Sequence, residues 1–120
     1  MGLLETLDGL SAEAASKQLG GASIAAHTEH LRWSLAMANA FARGEEPQAK
    51  WSESWSVDRV DAAAWERLRA DLRREYETLL AALEKSDLST FDLPTLTGIL
   101  ALAPHAAYHL GAMRQMALAL

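Results

Sequence analysis

The sequence predicts an all-helical fold, and within that class a four-helix bundle of up-down-down-up order with a long crossover between helices two and three. Three observations lead there. Leu, Ala, Glu and Arg dominate the chain, and no alternating run of Val, Ile or Thr is long enough for a sheet. Apolar residues recur at spacings of three and four in three long segments. The two best-defined of these segments are separated by the sixteen residues Gly44 to Arg59, far more than a helical hairpin needs. A 21-residue helix is about 32 Å long and sixteen extended residues reach about 53 Å. That connection can therefore cross the whole bundle, so helices two and three run in the same direction, while the shorter connections reverse it.

The first helical segment spans Gly2 to about Leu19, is interrupted by Gly9, restarts after the N-cap candidate Ser11, and ends at Gly20-Gly21. The second begins near Ser23 and runs to Arg43, with Gly44 as its stop signal. On a wheel of 100° per residue, Ser23, His27, Ser34, Met37, Ala38 and Phe41 lie within about 80° of His30, and Arg32 points the opposite way. One face of this helix is thus buried, and His30 lies on it. The third helix follows an N-cap at Asp58 or Asp61 and continues to about Lys85, with Trp65, Leu68, Leu72, Tyr76, Leu79 and Leu83 inward. Its outer face pairs Arg67 with Asp71 and Arg73 with Glu77 at four-residue separation. The fourth helix starts at Pro94, a favourable first-turn residue, and is apolar almost all round to the C-terminus. Such a helix is central, or is covered by a second subunit. In the crossover, Trp51 and Trp55 of the Trp51-Ser52-Glu53-Ser54-Trp55 cluster are expected to pin the connection to the bundle surface.

Length and composition narrow the function. At 120 residues the chain accommodates one compact domain, residues 1–120, with no room for a separate cofactor domain. A net charge of -5 and a pI near 5.3 give no general attraction to nucleic acid or to an anionic membrane surface. With no cysteine, disulfides, thiolate metal sites and a cysteine nucleophile are excluded, so any metal must be held by His, Asp or Glu. The acidic start Met1-Gly2-Leu3-Leu4-Glu5 is unlike a signal peptide, and a cytoplasmic location is the default expectation. The apolar window Ile99 to Leu120 contains His105, His109, Arg114 and Gln115. The Arg alone costs up to roughly 3 kcal/mol in a bilayer, so the window reads as a buried helix.

All four histidines fall in two short clusters, His27 with His30 and His105 with His109. Four-residue spacing puts His105 and His109 on one helix face about 6 Å apart, close enough for both imidazoles to reach one ion at about 2.0 to 2.1 Å. His30 is placed to add a third donor, and three neutral imidazoles leave coordination positions on zinc, nickel or iron for water or substrate. Against this stands the plainer reading of hydrogen-bonded or surface histidines. His27, about 60° from His30, is a fourth ligand, a hydrogen-bond donor to a ligand, or a solvated side chain.

The segments Ser23-Ile24-Ala25-Ala26-His27-Thr28-Glu29-His30-Leu31 and His105-Ala106-Ala107-Tyr108-His109-Leu110-Gly111-Ala112-Met113-Arg114-Gln115 resemble the two signatures of the DinB/YfiT-like superfamily of metalloenzymes. The resemblance extends from Gly21 onward through the Trp-containing crossover and Trp65-Glu66-Arg67-Leu68. It implies an up-down-down-up bundle and a divalent metal on His30, His105 and His109; His27 stays an accessory candidate on helix geometry alone. It also implies homodimers formed through bundle faces, and transferase or isomerase chemistry with a low-molecular-weight thiol. Two features depart from that pattern: the first helix is short, and Pro104 directly precedes His105, where a proline removes a backbone hydrogen bond and kinks the axis.

Tyr108 and Arg114 are the candidate catalytic residues. Tyr108 stands beside the histidine pair, either donating to a metal-bound ligand or buried against a carbonyl. Arg114, the single cation of an apolar helix, calls for a carboxylate such as Glu29, with binding of a substrate anion as its other role. Trp33 and Met37 read as core. No catalytic triad order, glycine-rich phosphate loop or H-E-x-x-H occurs. The leading expectation is a metal-dependent enzyme whose three-His ion activates water or a thiol on a small-molecule substrate, as a hydrolase or thiol transferase. The alternatives are a noncatalytic dimeric metal-binding bundle and a stress-associated interaction module.

Overall fold

The computed structural model describes residues 2–120. Among these residues five α-helices form: α1 (Leu3–Asp8), α2 (Ala12–Ala15), α3 (Ile24–Ala42), α4 (Ala62–Glu84) and α5 (Leu93–Leu118). Short 3₁₀ turns lie at Trp51–Trp55 and Leu88–Thr90, and no strand is present among the described residues. The all-helical class agrees with the sequence. The expected first helix is instead two short pieces, and the second of them stops at Ala15 rather than near Leu19. Ser11 caps α2 by accepting from the Ala14 amide at 3.1 Å. Immediately after α2, the Ser16 hydroxyl donates to the Val60 carbonyl at 3.1 Å and accepts from the Val60 amide at 2.9 Å. This tie to a distant residue takes the chain out of its helical path.

The cap of α3 is also a tertiary contact. Ser23 Oγ accepts from the Ala26 amide at 3.1 Å and donates to the Asp58 carbonyl at 2.6 Å. Further along, Asn39 Nδ2 donates to the Glu75 carbonyl at 2.9 Å. Contacts that advance together along both helices place α3 and α4 side by side in the same direction. Gly44, at φ +79°, takes the left-handed conformation that follows the end of α3. Helix α5 opposes α3: His105 lies against His30, His109 against His27, and the Met113 sulfur against the Thr28 hydroxyl at 3.8 Å. It begins at Leu93, capped by Asp92, whose Oδ1 accepts from the Thr95 amide at 2.8 Å.

The core gathers around the N-terminal half of α3, where Ile24, Ala25 and Leu31 meet Leu7, Ala15, Trp65, Leu68, Leu72 and Met113. Trp65 is buried, and its indole N–H donates to the Leu10 carbonyl at 2.7 Å, tying α4 to the α1–α2 connection. Phe41 was expected on the buried face but is 58% exposed; the side of α3 that stays buried at this end is the one carrying Asn39 and Ala40. Tyr76 is also half exposed, beyond Leu72 on α4. The expected four-residue ion pairs are replaced. Asp71 pairs with Arg74, three residues on, and Arg73 reaches across to Asp8, which also accepts from Arg69 at 2.9 Å. An acid on a neighbouring element captured Arg73, which the helix surface alone would have paired with Glu77.

Within the single chain, helix α5 is not the central rod that was one of the two settings its composition suggested, the other being cover by a second subunit. Only His109 and Met113 are buried in it, while Leu93, Leu100 and Leu118 are 67–82% exposed. Among the described residues, no helix is long and apolar enough to cross a membrane. Replacing Ser23 by Ala removes both of its bonds at a fully buried position. Urea denaturation is expected to show a loss of about 1–3 kcal/mol; an unchanged midpoint would show that the Ser23–Asp58 tie carries no stability.

Candidate metal centre

Two helices deliver all four histidines. The unbroken turn of α3 sets His27 and His30 on its inner side, and the four-residue step on α5 brings the His105 and His109 rings to 4.7 Å, edge to face. Helix α5 continues through Pro104 without interruption. The proline cannot donate to the Leu100 carbonyl, and Leu100 lies on the solvent side, where water can serve that carbonyl instead.

The ring nitrogens converge. His30 Nε2 lies 3.0 Å from His105 Nε2, which lies 3.1 Å from His109 Nε2. One ligating nitrogen from each of the three residues falls within 4.8 Å of the others. His30 and His109 are buried and His105 is partly so.

The far nitrogens determine which way the lone pairs face. His30 Nδ1 is 2.9 Å from the hydroxyl of Ser54, which is itself fully buried and donates to the Trp51 carbonyl at 2.6 Å. A carbonyl can only accept, so the serine proton goes there and the serine oxygen accepts from His30 Nδ1–H. His30 Nε2 is then an unprotonated lone pair aimed into the cluster. Behind His109, its Nδ1 lies 2.8 Å from His27 Nδ1. With His27 accepting, His109 Nε2 presents its lone pair in the same way. His27 therefore stands behind His109, outside the group of three.

A lid of tryptophan covers the cluster. Trp55 stacks on His30 with ring centres 4.3 Å apart and planes within 12°, and it meets His27 edge-on at 5.4 Å. Trp51 packs on the buried Trp33 at 4.9 Å. Both crossover tryptophans thus rest on the histidine-bearing side of α3. Burial pushes His27 and His105 below the ordinary imidazole pKa. His30 is lowered by burial first and then by the charges of His105 and His27. Burial lowers His109 to about 4, with further contributions from His105, His30 and His27. At neutral pH all four rings are uncharged and able to ligate.

The donor set fits a divalent ion. Two nitrogens held 2.0 to 2.1 Å from one ion at a tetrahedral angle are about 3.3 Å apart, close to the spacings seen here. A single N–H on His105 Nε2 can point squarely at one neighbour, whereas a cation at the shared point would accept all three lone pairs. The profile of the DinB superfamily matches residues 1–113. The chain belongs to the DinB superfamily. No curated protein and no solved structure matches it significantly.

In this DinB-superfamily chain, Tyr108 is 71% exposed and meets the His109 ring edge-on at 5.2 Å, so the reading of a buried tyrosine bonded to a carbonyl is corrected. Its helix turns it outward because the inward positions are taken by His105, His109 and Met113. Arg114 is exposed rather than buried in an apolar environment. Its proposed partner Glu29 has both carboxylate oxygens engaged by the Nε and Nη2 of Arg32 at 2.7 Å. Met37 is half-buried. Ser54 and Trp55 were not recognised from the sequence as parts of this site. Their partner His30 is 24 residues away from Ser54, and no local pattern encodes that contact.

The lowered histidine pKa values set a pH dependence. In the unfolded chain the rings take up protons below about 6.5, while the folded state resists doing so. The resulting stability is fully present above about pH 6.5 and is lost as pH falls toward 4. Urea midpoints of the metal-free protein are expected to fall between pH 6.5 and 5, and His109→Gln should flatten that slope. Midpoints that stay level over this interval would contradict the buried neutral cluster.

Proposed function

We propose that this chain is a metal-dependent enzyme in which His30, His105 and His109 hold a divalent zinc, nickel or iron ion and activate water or a low-molecular-weight thiol, in hydrolase or thiol-transferase chemistry. The reading is carried by the convergence of three imidazole nitrogens with two of their far nitrogens engaged by Ser54 and His27. When bound, such an ion supplies Lewis-acid chemistry, lowering the pKa of a coordinated water or thiol so that it is nucleophilic near neutral pH.

The chain's own residues account for the rest. Ser54 holds His30 in the tautomer that ligates, and His27 does the same for His109. Trp55 covers one face of His30 and limits the approach of water there. Tyr108, exposed and edge-on to His109, is the candidate donor to a substrate atom, and Arg114 on the same helix is the candidate for a substrate anion. Three protein ligands are the number that leaves coordination positions open. The engagement of His27 with His109 thus supports an enzyme over a closed structural tether. In the same reading residues 1–120 act as one cytoplasmic domain. The split first rod, α3, α4 and α5 form an up-down-down-up bundle, and two copies pair over the outward face of α5.

Protein purified without chelator or a His tag should contain about one divalent ion per chain, and His30→Ala, His105→Ala or His109→Ala should each abolish uptake. Absence of stoichiometric metal in the parent chain, or undiminished uptake by His30→Ala, overturns the proposal. Chelator competition should show Ser54→Ala binding metal about 10- to 100-fold more weakly, with Ser54→Thr close to the parent. Protons compete for the imidazoles, so the ion should be released below about pH 6, and retention at pH 4 would exclude an all-His site.

A further inference from the structure

Beside the histidine cluster lies an apolar cavity of about 640 Å³. Its walls come from Leu31 and Leu35 on α3, Leu72 and Leu79 on α4, and Ile99 and Leu102 on α5, with the short α1 at one side. His105 belongs both to the group of three histidines and to the wall of this cavity. Several other polar groups on the wall are already engaged. Ser34 donates to the His30 carbonyl, Glu5 accepts from the Gly2 amide, and Arg73 pairs with Asp8.

The space would hold on the order of twenty water molecules, each taking about 30 Å³, against leucine and isoleucine side chains that return no hydrogen bonds. Its volume falls within the range that encloses drug-sized ligands. We propose that it is a substrate-tail site. It takes the hydrocarbon portion of an amphiphilic molecule whose polar, metal-binding head sits at the His105 end. The role of the head rests on the metal-dependent reading above; the tail site stands on the cavity itself. A multiply charged, hydrophilic body finds few matching groups on walls built mostly of leucine, isoleucine and alanine. A second copy of the chain does not account for the space either, because the exposed Leu93, Leu100 and Leu118 of α5 do not line it.

The test is calorimetric titration of the full chain with hexanoate, octanoate and decanoate, in zinc-loaded and metal-free forms. Affinity should rise about fourfold per added methylene in both forms, with zinc tightening the whole series. Ala103→Trp places an indole on the cavity wall from an exposed position of α5. It should weaken decanoate binding at least tenfold while leaving zinc uptake intact, with circular dichroism reporting the fold. Affinity independent of chain length overturns the tail site, and so does an Ala103→Trp variant that is folded and binds decanoate unchanged. A third overturning result is an Ala103→Trp variant that loses self-association in sedimentation while the parent binds no alkanoate, which makes a second copy the occupant. Chain-length-dependent binding in a parent protein that takes up no zinc upholds the tail site and removes the metal-dependent reading. Zinc uptake without chain-length dependence does the reverse.

Discussion

His30 Nε2 and His109 Nε2 turn their lone pairs toward His105 Nε2 across about 3 Å, and one N–H on His105 satisfies only one of them, so something must hold the rings in place. Here the hold comes from behind. The Ser54 oxygen accepts from one ring, His27 bonds another, and the face of Trp55 lies flat on His30. Much of the architecture follows from the need to supply those groups. Because α3 and α4 run in the same direction, the chain must travel the length of α3 between them. That return path lays the Trp51–Trp55 turn across the histidine-bearing side of α3. A tight hairpin between the two helices would have left His30 without its tautomer-setting acceptor.

Packing and chemistry occupy different parts of the molecule. The core of Ile24, Leu31, Trp65, Leu68, Leu72 and Met113 makes α3 and α4 a firm pair and anchors α5 at Met113. N-terminal to His105, α5 departs from that close packing, and the 640 Å³ cavity lies along this stretch. The histidines sit between the two regimes. They are buried enough to stay neutral near pH 7, yet one of them, His105, faces open apolar space.

Some of this was legible in the residues themselves. The four-residue spacing of His105 and His109, the helix start near Ser23, Asp61 as one of two cap candidates, and the apolar stripe through Trp65, Leu68 and Leu72 are local patterns, and helix periodicity converts local spacing directly into shared faces. The sixteen-residue crossover was legible too, because chain length bounds reach. What escaped were groups whose role depends on a partner far along the chain. Trp55 was expected only to pin the crossover to the bundle surface, Ser54 had no assigned role, and Asp8 gave no sign that it would draw Arg73 away from Glu77 and take Arg69 as well.

By itself, then, the amino-acid order determined the helical class, the principal helices to within a few residues, and which histidines share a face, since each depends on backbone propensity and a 3.6-residue period acting within a few turns. Tertiary structure alone decided that α5 is mostly solvent-facing, that Tyr108 points outward, that His27 backs His109, and that a cavity opens beside His105. Those outcomes depend on how far apart separate helices come to rest. That spacing is set by the summed fit of side chains from α1, α3, α4 and α5, and no single segment encodes it.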